Sequence, residues 1–192
     1  IEAEAGVLDI LVNNAGISPH DDVENFDLAN WRTIHQVVVE SMAIGCHTCL
    51  PLLKRSSAAS VVNLSSVAGL IGSTNYLSYG AAKAGVHNLT KSIAMFCANK
   101  NYPIRCNSIH PGSIDTPILD ADKTLHGDAA ITMREKTIPL KRLGQPTIPF
   151  WLALEVVFLS NRPPLQVPPQ TIKRHLNRAT ANPLPRARKA CL

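Results

Sequence analysis

Residues 60–112 read SVVNLSSVAGLIGSTNYLSYGAAKAGVHNLTKSIAMFCANKNYPIRCNSIHPG, and this stretch decides the fold class. Ser60–Leu64 is a β-branched run that ends in Ser65-Ser66 and a small-residue loop with Gly69 and Gly72. From Ser78 to Cys97, Val86, Leu89, Ile93 and Phe96 recur at helical spacing in an alanine-rich background, which predicts a long helix with one buried stripe. Ile104–Ile109 is again strand-like and is closed by Pro111-Gly112. Strand, helix, strand is a βαβ unit, and its two strands run parallel.

Upstream, the same alternation occurs once more. Val7–Val12 is apolar apart from Asp9, predicts a strand, and stops at Asn13-Asn14-Ala15-Gly16. After a loop with Pro19 and Asp21, Asp27 or Asn30 can cap a helix carrying Trp31, Ile34, Val38, Met42 and Leu50 before Pro51. Three strands with two intervening helices make half of a doubly wound α/β parallel sheet. Polar and glycine-rich residues gather at the strands' carboxyl ends, where ligands bind in such sheets. No period of 20 to 50 residues repeats, which argues against a solenoid.

Composition narrows the class. The chain has 192 residues, 45% hydrophobic and 17% charged, against about 25% charged on average. Its net charge of +5 is concentrated at one end. Residues 161–192 hold seven of the 19 Lys and Arg, six of the 14 prolines and no carboxylate, which leaves residues 1–160 slightly acidic. Prolines at that density exclude a continuous helix, so a domain over 1–160 and a basic, linker-like tail over 161–192 are expected. The tail lacks interleaved aromatics, so no nucleic-acid partner is expected. The greasy stretch Phe150–Leu159 is too short for a bilayer, the acidic start is no signal-peptide n-region, and the five cysteines form no disulfide framework. A cytoplasmic protein without a membrane partner is the expectation.

Tyr79 and Lys83 lie four apart at the start of the long helix and therefore share a face. An ammonium beside a phenol favours the phenolate, moving its pKa down towards neutrality and making tyrosine a general acid or base. Ser66 ends the preceding strand at the same sheet edge, where its hydroxyl can bond a substrate oxygen. By itself Tyr-x-x-x-Lys is a common helix-surface pairing. Cys46-His47-Thr48-Cys49 has metal-like spacing, yet it falls inside the predicted helix with no second ligand pair, so no metal site is expected. His110 can shape the pocket or serve only its loop.

Four motifs give the pairing its context: Asn13-Asn14-Ala15-Gly16, Asn63-Leu64-Ser65-Ser66, Tyr79-Gly80-Ala81-Ala82-Lys83, and the run from Asn107 to Pro117. In this order they resemble the short-chain dehydrogenase/reductase family over about residues 6–160, with a feel closest to bacterial 3β/17β-hydroxysteroid dehydrogenases. The resemblance implies a Rossmann-type sheet and interconversion of a secondary alcohol and a ketone with NAD or NADP. It further implies that Tyr79 exchanges the proton with the substrate oxygen, Ser66 positions that oxygen, and Lys83 binds the nicotinamide ribose. The family serine lies thirteen residues before the tyrosine, which selects Ser66 over Ser65. Asn14, Ala15 and Gly16 would pass the cofactor's adenosine side, with Asn13 tying strands together. Pro111, Gly112, Ile114 and Thr116 would line its carboxamide and phosphate side. A small-molecule substrate, a mobile lid over Ile118–Thr137 and a homo-oligomer formed through the two long helices are implied as well.

Three departures temper the resemblance. The family's glycine-rich phosphate turn is not found, because residue 1 falls just before the fourth family strand; weak dinucleotide binding by these 192 residues is expected. Val38 stands where the family usually has an asparagine that holds a relay water. After a helix over 146–160, the family's Thr-Gly turn and Asp-Gly-Gly ending are replaced by Arg162-Pro163-Pro164, which suggests a frameshift or misread gene. These departures keep open an alternative, a catalytically silent dehydrogenase-like interaction module or inactive fragment.

Overall fold

A computed structural model describes residues 5–119, 124 and 127–146; the expected helix over 146–160 and the tail over 161–192 lie outside the described residues, except Pro146. The described chain runs β1 (Ile10–Asn13), α1 (Leu28–His35), a π turn (Gln36–Glu40), α2 (Ser41–Leu53), β2 (Ala59–Leu64), α3 (Leu77–Asn99), β3 (Ile104–Ile109) and α4 (Asp128–Thr137). Short 3₁₀ turns cover Val67–Gly69 and Pro117–Leu119.

The three strands are all parallel, in the order β1-β2-β3. Both crossovers place their helices over the same side: Cys46 and Leu53 of α2 and Cys97 of α3 share one core with Ala59, Val61, Ile104 and Cys106 of the strands. A second core joins Ile34, Val38 and Met42 to Ala82 and Val86 of α3. The half-sheet expectation therefore holds, with β3 at the expected boundaries.

Several local expectations need correction. β1 begins at Ile10 rather than Val7. The first helix does not stop at Pro51; Asp27 caps it through Ala29 N at 2.8 Å, and it continues through the π turn to Leu53. Pro51 is tolerated so close to the end that the kink it causes has little helix left to redirect. Phe96 is not part of the buried stripe. It is 46% exposed, because the buried face runs through Val86, Thr90 and Cys97 and Phe96 falls beside it, where its ring meets Tyr102 edge-on instead. Within the expected lid, Pro117–Leu119 forms a turn and Asp128–Thr137 a helix.

By length and composition Leu28–Leu53 is also apolar enough to cross a membrane. In this fold its Ile34, Val38, Met42, Cys46 and Leu53 are buried in the two cores.

Candidate active site

The carboxyl ends of the strands are welded by side chains. Asn13 and Asn63 are register partners on β1 and β2, and Asn13 Nδ2 donates to Asn63 Oδ1 at 2.8 Å. Asn63 in turn donates to Thr90 of α3 at 3.0 Å. Asn13 also donates to Cys46 Sγ at 3.3 Å, so Cys46 is spent inside the fold. Gly45 makes room for this: a β-carbon there would stand 2.8 Å from Asn13 Oδ1. The structural reading of Asn13 thus has a concrete partner set.

Beyond β2, Ser65 and Ser66 diverge. Ser65 is buried and donates to the Lys83 carbonyl at 2.8 Å. Ser66 is extended, accepts from Ala68 N at 3.1 Å, and is hydrogen-bonded to Tyr79. The 3₁₀ turn that follows lies directly on α3: a β-carbon at Gly69 would meet the Lys83 backbone at 2.7 Å. Only glycine permits that approach, which draws Ser66 against the first turns of α3.

Lys83 is 4% exposed and its Nζ donates to the Leu64 carbonyl at 2.6 Å. It stands 5.6 Å from the centre of the Tyr79 ring. Burial lowers its pKa to about 8. The expected depression of the Tyr79 phenol is not found. Burial pushes that phenol up, opposed by the Ser66 hydrogen bond, because the Lys83 ammonium is aimed at a carbonyl rather than at the phenol oxygen.

The loop after β1 passes over the lysine, since a β-carbon at Gly16 would lie 3.6 Å from Lys83 Nζ. Asn14, Ala15 and Gly16 are all exposed. At the end of β3, the Pro111 carbonyl accepts from Val67 N at 3.0 Å, and a β-carbon at Gly112 would meet open space. Ile114 bridges to Gly144, and Thr116 donates to the Ile114 carbonyl at 3.3 Å. Ser66, Tyr79, Lys83 and Gly16 are therefore drawn together, while Ile114 and Thr116 belong to a neighbouring loop. A cavity of about 430 Å³ near Asp115, Glu135 and Arg142 lies beside that loop, not at Tyr79.

Sequence reading missed four residues here. Asp21 is buried and caps α3 from a distance of 57 residues, accepting from Ser78 N at 3.1 Å and from the Ser78 hydroxyl. Its backbone also pairs with Asn75 and Leu77, which docks the β1 loop on the helix carrying Tyr79. The Tyr76 hydroxyl contacts His20 Nε2 at 3.0 Å and accepts from Arg134 of α4 at 2.5 Å. Arg134 reaches Ser113 as well, at 3.3 Å, and the Tyr76 ring lies 6.0 Å from the Tyr79 ring. Of these, only Tyr76 had a signal, its place one helical turn before Tyr79.

Comparison with known proteins adds the following. A family profile described as Enoyl-(Acyl carrier protein) reductase matches residues 1–149. The chain is 43% identical over 113 residues to the trans-4-hydroxycyclohexanecarboxylate dehydrogenase of Sinomonas cyclohexanicum, covering 59% of this chain and 42% of that one. It is 31% identical over 154 residues to the NADP-dependent (R)-specific alcohol dehydrogenase of Lentilactobacillus kefiri, covering 80% and 60%. With the 3-beta-hydroxysteroid dehydrogenase of Comamonas testosteroni it shares 32% over 161 residues, 84% and 62%. The chain thus spans 42% to 62% of the length of these relatives. The ligand-free aldohexose dehydrogenase of Thermoplasma acidophilum superposes with a TM-score of 0.70 at 33% identity, over 76% of this chain and 59% of that one.

Proposed function

The chain belongs to the short-chain dehydrogenase/reductase family, and from that membership we propose that its protein interconverts a secondary alcohol and a ketone with NAD or NADP. The observation that carries this reading is the convergence of Ser66, Tyr79 and Lys83 at the carboxyl ends of parallel strands. In it the Tyr79 hydroxyl gives a proton to a carbonyl oxygen or takes one from an alcohol, and the Ser66 hydroxyl orients that oxygen. A nicotinamide cofactor fits the residues present, because Gly16 and Gly112 put no side chain in front of the Lys83 ammonium and the β3 loop. When bound, it supplies or accepts the hydride. Lys83 would hold its ribose hydroxyls; the exposed Asn14–Gly16 segment and Gly112, Ile114 and Thr116 would border it. Turnover of the full-length protein with NAD and NADP against a panel of cyclic and acyclic secondary alcohols tests the reading. No reaction with any of them, in a protein that is folded, would overturn it.

The substrate class can be drawn more finely. One relative is named for a hydroxycyclohexanecarboxylate, and Arg134 carries its guanidinium to the Tyr76 hydroxyl, one aromatic ring away from Tyr79. A cyclic alcohol bearing a carboxylate could set its hydroxyl at Tyr79 and its charge towards Arg134. Arg134→Leu is then expected to raise KM for a hydroxycycloalkane carboxylate roughly 10- to 100-fold, the range of one charged hydrogen bond, and to leave KM for the neutral cycloalkanol almost unchanged. Equal effects on both substrates would remove the carboxylate from the reading.

Val38 supplies a separate test. It is fully buried among Ile34, Met42, Ala82 and Val86, in the π turn beside α3. If the family's relay asparagine is what this position lacks, Val38→Asn raises kcat while a partnerless buried amide costs about 1–3 kcal/mol of stability. Steady-state kinetics and a melting curve on the same sample separate the two effects; a folded variant that is no faster shows the relay was not limiting.

A further inference from the structure

His110 lies one residue beyond β3, is 1% exposed, and uses both ring nitrogens. Nδ1 is 3.2 Å from the Ser66 carbonyl and Nε2 is 2.9 Å from Ser108 Oγ. A carbonyl can only accept, so Nδ1 carries the hydrogen. In the neutral ring Nε2 then has none, and the Ser108 hydroxyl must donate to it. Burial leaves no water to replace either bond, which makes one tautomer obligatory.

Resting on the dehydrogenase reading above, we propose that His110 is a positioning residue for Ser66: its Nδ1–H clamps the Ser66 carbonyl and so sets the direction in which the Ser66 hydroxyl meets Tyr79. Backbone bonds flank the clamped residue on both sides, Ser65 N to the Ile109 carbonyl at 2.8 Å and Val67 N to the Pro111 carbonyl at 3.0 Å. The Ser66 carbonyl also accepts from Gly69 N at 3.0 Å. With two donors on this one carbonyl, the peptide plane after Ser66 is fixed, and the side chain leaves a backbone that cannot swivel. Between two backbone ties joining the ends of β2 and β3, the Ser66 carbonyl is thus held by a side chain, at the residue whose hydroxyl meets the phenol.

The surroundings keep the ring neutral. His87 of α3 meets it edge-on at 4.8 Å, and Lys83 and Lys91 of the same helix face it with like charge; burial and these lysines lower its pKa, opposed by the Ser66 carbonyl. Ser66, just beyond β2, and Ser108 of β3 present only neutral groups. Protonation would put a hydrogen on Nε2 and force the buried Ser108 hydroxyl to turn from donor to acceptor. The Nδ1 hydrogen is present in both forms, so the clamp on Ser66 is held by a neutral ring through neutral pH, and below the ordinary histidine range it is the Ser108 bond that reverses.

The test uses the full-length protein and two substitutions. His110→Leu fills the space without a donor; His110→Asn keeps an N–H near the Nδ1 position. We expect His110→Leu to lower kcat about 10-fold or more with little change in KM, and His110→Asn to recover most of the loss. Because the Ser66 bond opposes the rise of the Tyr79 phenol, His110→Leu should also move that phenol's titration upward, followed by NMR of labelled tyrosine in the absence of cofactor. Nitrogen NMR of the wild-type imidazole should show the hydrogen on Nδ1. A wild-type kcat and an unmoved Tyr79 titration in His110→Leu would overturn the proposal, as would a hydrogen on Nε2. If His110→Leu does not fold, His110→Gln takes its place: its amide reaches towards the Nε2 position and leaves the Ser66 carbonyl without the side-chain donor, so kcat should fall and Tyr79 should shift in the same direction, and a wild-type kcat with an unmoved Tyr79 overturns the idea. The tyrosine and imidazole measurements need no turnover. A wild-type protein without activity would therefore sink the dehydrogenase reading while leaving the clamp to be judged by itself.

Discussion

Tyr79→Phe should lower kcat of the full-length protein by roughly 10² to 10⁴, the usual worth of a positioned acid or base, with KM and melting temperature close to wild type. Phenylalanine keeps the ring that packs 6.0 Å from Tyr76 and 5.6 Å from Lys83 Nζ, and loses only the hydroxyl bonded to Ser66. Burial holds this phenol above its ordinary range, so the phenolate is scarce at neutral pH in the unliganded site. Oxidation of the alcohol, which needs the phenolate as base, should climb through the alkaline range in the wild type and stay flat in the variant. A pH profile of kcat for both proteins decides it, and an undiminished kcat would take Tyr79 out of the mechanism.

Lys83→Met should abolish most turnover and, at the same time, make the protein more stable. The ammonium is 4% exposed and its pKa falls from 10.5 to about 8, a cost of roughly 3 kcal/mol for holding the charge at pH 7. Losing the charged bond to the Leu64 carbonyl offsets about 1.5 kcal/mol or more, leaving a net gain on the order of 1 kcal/mol. The sign fixes the pH window. Below pH 8 both folded and unfolded states hold the proton and the cost is full; between about 8 and 10.5 the folded state releases it first, and wild-type stability recovers. Urea unfolding of both proteins should show a gap at pH 7 that narrows across that interval. A variant that is less stable at pH 7, or a gap indifferent to pH, would mean that the charge is solvated in ways the burial denies.

What the sequence disclosed was the part written in local repetition. β3 is bounded by Pro103 and Pro111 and contains a short hydrophobic alternation, so its limits could be read directly. The four-residue step from Tyr79 to Lys83 fixes a shared helix face, but the step does not say which atom the ammonium reaches; Leu64, nineteen residues upstream, supplies the answer. Likewise the resemblance chose Ser66 over Ser65 by its thirteen-residue step to Tyr79, but the physical reason lies in the approach of Gly69 to α3, which separates the serine that bonds a backbone carbonyl from the one that meets the phenol. Asp21 was opaque for a different reason. A capping carboxylate is legible when it directly precedes its helix, as Asp27 does, whereas Asp21 caps a helix that begins more than fifty residues later. Phe96 shows the opposite failure: steps of three and four both fit a helical stripe, and the buried face continues through Cys97 rather than the larger, more apolar Phe96 beside it.

The π turn between α1 and α2 has a bearing on how this segment tolerates changes of length. Ile34, Val38, Met42 and Cys46 are four apart and all buried. On an α-helix at 3.6 residues per turn, each such step would wander about 40° around the axis, and three steps would carry Cys46 far from the meridian of Ile34. The wider loops of Gln36–Glu40, closed by Ser41 N on the Gln36 carbonyl, unwind the helix locally and cancel much of that wandering. Residue count in this segment therefore acts as a phase setting. Removing one residue from the turn would tighten it to α geometry, four residues then covering about the angle that five cover now, and would leave Met42, Cys46 and Leu53 near the inner face, whereas removing one from the α-helical stretch after it would rotate everything downstream by about 100°.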